Sequence, residues 1–196
     1  MEHVPHNPRL IAHLDFRPVP PAKRHSPGRV RSVPARFYVD KYIEHQEAAT
    51  FLESQQALYG EGSKTLVRAL LHYRDTVIRP LEASRSAAGR RTPRRQKGLP
   101  PEMVVAHLAF RPVPIEQRCG PGRVRHASAR LYIDKWQEHA EAFAFLQAQQ
   151  ELHGECLKTI IRALLHYRDS VIDPLETSVS SVHDARAQLS LDLTAP

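Results

Sequence analysis

Arg36 and Tyr38 stand two residues apart, and Arg130 and Tyr132 repeat the pair at the same spacing. A spacing of two puts both side chains on one face of an extended strand. A guanidinium carries a planar fork of donors that fits guanine O6 and N7, and a phenol adds a hydroxyl on a stacking ring. Two such pairs on one surface have the chemistry to read base edges; the plainer reading is a solvated strand face. A second set follows at Gly62, Ser63 and Lys64, with Cys156, Leu157 and Lys158 in the matching place. Both triplets fall where a helix should begin, and free backbone N–H groups at a helix start bind anions such as phosphate. A lysine there opposes the helix dipole, which favours a bound anion, and the plainer reading is an exposed lysine at a helix start. Arg29 and Arg31, matched by Arg123 and Arg125, add charge to arms that precede the strands.

Other reactive residue types do not converge. His72-Tyr73-Arg74-Asp75 recurs as His166-Tyr167-Arg168-Asp169. On a helix consecutive residues point about 100° apart, so these four cannot meet on one substrate. They read as a core aromatic beside charged helix surface. His45, His72, His139 and His166 recur without a His-x₃-His or cysteine pair, so no metal site is expected. No Gly-rich phosphate loop is present. Cys119 and Cys156 have no counterparts in the first copy, where His25 and Gly62 stand, so both are read as incidental thiols in a reducing compartment. The expectation is a protein that is no enzyme and uses no cofactor.

The elements that must hold these residues come from a duplication. Ala12 to Ser84 aligns without gaps to Ala106 to Ser178, an offset of 94, with about 46 of 73 positions identical. Two copies are too few for a solenoid, and a repeat of about 70 residues is marginal alone. Two equal halves sharing one core is the better solution. The division expected is a first repeat over 1–84, a basic linker over 85–103, a second repeat over 104–178 and a tail over 179–196. The linker holds Arg85, Arg90, Arg91, Arg94, Arg95 and Lys97 and no acid between Glu82 and Glu102. It reads either as a solvated tether or as a tether that also tracks phosphates. The 196 residues carry a net charge of +7, and mean hydropathy is −0.45. No apolar run is long enough to cross a membrane, and Met1-Glu2-His3-Val4-Pro5 does not begin like a signal peptide. A cytoplasmic, nucleoid-associated location is expected.

Within each copy the order of elements is legible. Arg17-Pro18-Val19-Pro20 and Arg111-Pro112-Val113-Pro114 are extended arms, because proline excludes helix. They lie along DNA phosphates or a minor groove, or brace the core through Leu14, Phe16, Leu108 and Phe110, or do both. Pro27-Gly28 and Pro121-Gly122 mark turns. Residues 35–40 and 129–134 alternate apolar and polar with period two, which predicts strands. Phe37 and Val39 become Leu131 and Ile133 on the apolar face, while Arg36 and Tyr38 are unchanged on the other. Asp40 and Asp134 share the outer parity, and each is read as closing its strand and supporting the next turn. Ala48, Phe51, Leu52 and Leu58 then follow helical spacing, with Glu44 and Glu47 suited to the first turn and Gly60 or Gly154 to the end. A second helix, Thr65 to Ile78, is apolar on most sides and should be buried, with Pro80 and Pro174 stopping it.

A lone strand per copy cannot form a sheet, but the two can pair antiparallel with their apolar faces on four helices. This order resembles the ribbon-helix-helix family of the MetJ/Arc type over roughly 35–79 and 129–173. The turn Gly60-Glu61-Gly62-Ser63-Lys64-Thr65-Leu66-Val67 matches it well, and Gly154-Glu155-Cys156-Leu157-Lys158-Thr159-Ile160-Ile161 less well. The resemblance implies a mainly α fold with a short two-stranded antiparallel ribbon, as a tandem pseudo-dimer. It implies base contacts from Arg36, Tyr38, Arg130 and Tyr132, and phosphate contacts from the two helix starts. The partner implied is double-stranded DNA with a pseudo-palindromic site, and the role a transcriptional repressor or a plasmid maintenance or transfer factor. Self-association through separately dimerising repeats is a further possibility. The competing reading is a pseudo-symmetric helical adaptor for a protein partner, which has no need of the basic linker and arms.

Overall fold

The computed structural model describes residues 16–24, 31–39, 41–60, 62–89, 110–118, 126–154 and 156–177. Strand β1 (Ser32–Tyr38) pairs antiparallel with β2 (His126–Tyr132), with Ala35 opposite Ala129 at the centre. Helices α1 (Ile43–Tyr59) and α2 (Gly62–Tyr73) follow β1, and α4 (Gln137–His153) and α5 (Cys156–Tyr167) follow β2. The described residues are mostly helical, with one two-stranded antiparallel sheet among them. Beneath the ribbon α2 packs on α5, and Leu66, Val67, Ala69 and Leu70 bury against Ile160, Ile161, Ala163 and Leu164. The two repeats thus share a single core. Ala35, Val39, Ala129, Leu131 and Ile133 face it from the ribbon side, which is the parity the alternation predicts.

The strands begin and end earlier than their alternation suggests. Proline is disfavoured inside strands, yet Pro34 lies inside β1 opposite Arg130. The ladder explains why. Ile133 N–H donates to the Arg31 carbonyl at 3.1 Å, so odd-numbered β1 residues take the bonded positions and Pro34 falls between them. Its missing N–H would have pointed off the ribbon edge, so no ladder bond is lost. The Arg130 N–H, at the same pair, does point outward and donates to Ser63 Oγ at 3.4 Å. At the far end, Val39 and Ile133 already lie in turns. Asp134 is 4% exposed, and its Oδ2 accepts the Arg31 N–H at 3.2 Å, which closes the strand end. Asp40 lies outside the described residues.

Pro80 does not stop its helix. A π turn (Arg74–Ile78) leads into α3 (Arg79–Gly89), and a second π turn (Arg168–Ile172) leads into helix over 173–177. Proline lacks an N–H and clashes with the carbonyl four residues back. The wider turn relieves this, since the Arg79 N–H reaches the Arg74 carbonyl instead. Thr76 Oγ1 then donates to the His72 carbonyl at 2.8 Å, and Ser170 Oγ to the His166 carbonyl at 2.6 Å. Gly60 and Gly154 end α1 and α4 at φ 66°, a left-handed turn that glycine adopts without strain.

The proline-containing arms dock on the opposite repeat. The Arg17 carbonyl accepts the Gln137 N–H at 2.8 Å, and the Arg17 N–H donates to Glu138 Oε2 at 2.8 Å. The Arg17 guanidinium binds Glu138 at 2.7 Å and Glu141 at 3.2 Å. Arg111 does the same to Ile43, Glu44 and Glu47 of the first repeat. Each arm thereby caps the other repeat's first helix, satisfying N–H groups that a helix start leaves open. Val19 and Val113 bury behind these contacts, their N–H groups donating to the Lys135 and Lys41 carbonyls. The bracing expected of the arms is seen in Phe16 and Phe110, which pack on the core. Leu14 and Leu108 lie outside the described residues.

Candidate nucleic-acid interface

The outer parity of the ribbon carries Arg36 and Tyr38 on β1 and Arg130 and Tyr132 on β2. Arg36 and Arg130 are exposed, and Tyr38 is 49% exposed. Tyr132 is half-buried and leans on the His139 ring, with centroids 5.9 Å apart. The register sets Arg36 opposite Ser128 and Arg130 opposite Pro34, so the two arginines lie on opposite sides of the central Ala35–Ala129 pair. The face presents two exposed guanidiniums, and a two-stranded ribbon is of a size that a major groove admits.

The helix starts differ from each other. Gly62 is buried and its N–H already donates to Gln56 Oε1 at 2.9 Å, while the Cys156 N–H donates to Gln150 Oε1 at 3.2 Å. A Cβ at Gly62 would stand 3.1 Å from Gln56 Oε1, so glycine suits this close cap. Ser63 and Lys64 are half-buried beside β2, with the Ser63 hydroxyl on Arg130. Leu157 and Lys158 are half-buried too, and Leu157 packs on the core instead of bonding to the strand. Burial raises the Cys156 thiol above its ordinary pKa. Arg31 is exposed at the ribbon's end. Arg29, Arg123 and Arg125 lie outside the described residues.

Two histidines fasten the ribbon edges. His45 Nδ1 lies 2.8 Å from the Tyr38 carbonyl and so carries the proton there, whereas His139 Nδ1 accepts the Tyr132 N–H at 2.9 Å. Phe16 and Phe110 seal them edge-on, at 5.1 and 5.4 Å. Burial pushes His139 from its ordinary 6.5 down to about 4, and it lowers His45 as well. The unfolded chain therefore binds protons on these rings that the folded chain refuses. Stability is full above about pH 6.5 and is lost as pH falls toward 4, by about 3 kcal/mol at His139. His139→Asn, which keeps an acceptor near the Nδ1 position, should flatten the fall in urea midpoint between pH 6.5 and 4.5. An unchanged pH profile would show that His139 does not set it.

His72 and His166 stack at 5.4 Å where the two repeats meet, and each ring approaches the other repeat's hydroxyl. The distances are 3.2 Å to Ser170 and 3.1 Å to Thr76. Tyr73 and Tyr167 are buried, Arg74 pairs with Asp75, and Arg168 with Asp169. The histidine-tyrosine-arginine-aspartate segment thus serves packing and surface pairing. Among the described residues no group of three metal-binding side chains occurs, and no helix is long and apolar enough to cross a membrane.

Lys41 and Lys135 were not singled out by spacing alone. Both are exposed just past the strand ends, over the rings of Tyr42 at 5.3 Å and Trp136 at 5.2 Å. The available signal was their recurrence directly before an aromatic residue. No family model, curated protein or solved structure matches the chain.

Proposed function

We propose that the chain is a sequence-specific double-stranded-DNA binder, two ribbon-helix-helix units fused as a tandem pseudo-dimer. The observation that carries this reading is the paired ribbon with Arg36, Tyr38, Arg130 and Tyr132 on its outer parity. The ribbon lies in the major groove, and the arginines read base edges on either side of a central step. Ser63, Lys64 and Lys158 hold phosphates beside it, with Gly62 and Leu157 shaping the helix starts. Arg29, Arg31, Arg123 and Arg125 supply backbone charge. The target is a pseudo-palindrome, because the two strands present the same Arg/Tyr pair in antiparallel order. The role that fits is a transcriptional repressor or a plasmid maintenance or transfer factor, working at the nucleoid.

Retention of sheared genomic fragments on immobilised protein at about 0.15 M salt tests it. A small set of fragments sharing an imperfect inverted repeat is the expected outcome. Retention without preference, or none, rejects the sequence-reading role. The adaptor alternative requires no salt-dependent binding to duplex DNA.

A further inference from the structure

Basic side chains gather at the two ribbon ends. At one end stand Arg31, Arg130, Lys64 and Lys135. The bond from Arg130 to Ser63 brings the start of α2 against β2, and Lys64 follows Ser63 directly. Lys135 sits at the exit of the same strand, its N–H held by the Tyr132 carbonyl at 3.1 Å and its carbonyl by Val19 at 3.0 Å. Its backbone is therefore fixed by two elements. Lys64 and Lys135 both disfavour a proton on His139, so their charges converge on one region.

Among the described residues the acids flanking Lys135 are already engaged. Glu138 takes the Arg17 N–H and guanidinium, Glu141 takes Arg17 and Arg74, and Asp134 takes the Arg31 N–H. At the other end, Glu44 and Glu47 take Arg111, Glu47 also nears Arg168, and the matching lysines are Lys41 and Lys158. Among the described residues Lys41 and Lys135 rest on neutral rings, not on carboxylates. A ring orients an ammonium while leaving its charge intact.

We propose that Lys41 and Lys135 are phosphate anchors which, with Lys158 and Lys64, bracket the ribbon at its two ends. The proposal rests on the DNA reading and extends it, since neither lysine lies on the reading face or at a helix start. The anchors grip the backbone flanking the groove, so they set register and affinity, not sequence preference.

The test is binding of the full chain to a random duplex and to its best genomic fragment across a salt series. Each phosphate contact contributes about 0.9 to the slope of log K against log salt. K41Q/K135Q should therefore lower the slope by about 2 on both duplexes, leave the preference ratio within about twofold, and melt within a few degrees of the wild type. K41R/K135R, which keeps charge and stacking, should recover the slope. An unchanged slope in K41Q/K135Q beside a steep wild-type slope overturns the anchors and leaves the DNA reading standing. A wild-type protein with no salt-dependent duplex binding overturns both.

Discussion

A chain cut anywhere between residues 90 and 109 should run as one particle of undivided mass, and its halves should separate only in denaturant. Neither repeat is complete without the other. Among the described residues β1 has only β2 as a ladder partner, and a short strand with both edges open is not stable in water. α2 and α5 bury Leu66, Leu70, Ile161 and Leu164 against each other, so separation would expose the center of the core. Each arm caps the opposite repeat's helix, so it would lose its backbone and side-chain partners together. An interface that is the domain's own core behaves as an obligate one. The residues making these contacts recur at the offset of 94, so residues 1–84 alone should pair with themselves. Arg17 would then meet Glu44 and Glu47 of a second copy. Analytical ultracentrifugation of the cut chain and of 1–84 checks both statements. Two folded monomers after cutting would contradict the shared core.

The strand faces were legible because a period of two leaves no choice once one face is apolar, and Phe37/Leu131 and Val39/Ile133 mark that face. Antiparallel pairing and the burial of the second helix followed from the same logic. The docking of the arms was not legible, for a specific reason. Arg17 is followed by Glu44 and Glu47 in its own repeat and by Glu138 and Glu141 in the other, at matching places. A duplicated sequence offers identical partners in both halves, and only the antiparallel ribbon decides that the arm crosses over. The earlier start of β1 was not legible, because the harmlessness of Pro34 depends on ladder phase, which pairing fixes. Pro80 was read as a stop because a π turn is a tertiary accommodation that spacing does not announce. The outer-face residues Arg36, Tyr38 and Arg130 emerged where the alternation placed them, while Gly62 turned out to have its N–H already capped by Gln56.

Replacing Arg36 and Arg130 by alanine should abolish most of the discrimination between the preferred fragment and random duplex. A bidentate arginine–guanine contact contributes about 1–3 kcal/mol of discrimination, so two independent losses multiply to roughly 30- to 3 × 10⁴-fold. The single variants should differ. Arg130 has its backbone tied to Ser63 at 3.4 Å and lies opposite rigid Pro34, whereas Arg36 lies opposite Ser128, and Leu157 takes the place of Ser63 near its edge. A side chain on a better-fixed backbone loses less entropy on binding, so R130A should cost more than R36A. In a panel of single base-pair substitutions, each variant should become indifferent at one position, the two positions lying symmetrically about the center of the site. Affinity for random duplex should change far less than it does in K41Q/K135Q, because base readers and backbone anchors act on different terms. If both single variants keep the wild-type preference at every position, the ribbon face does not read the sequence.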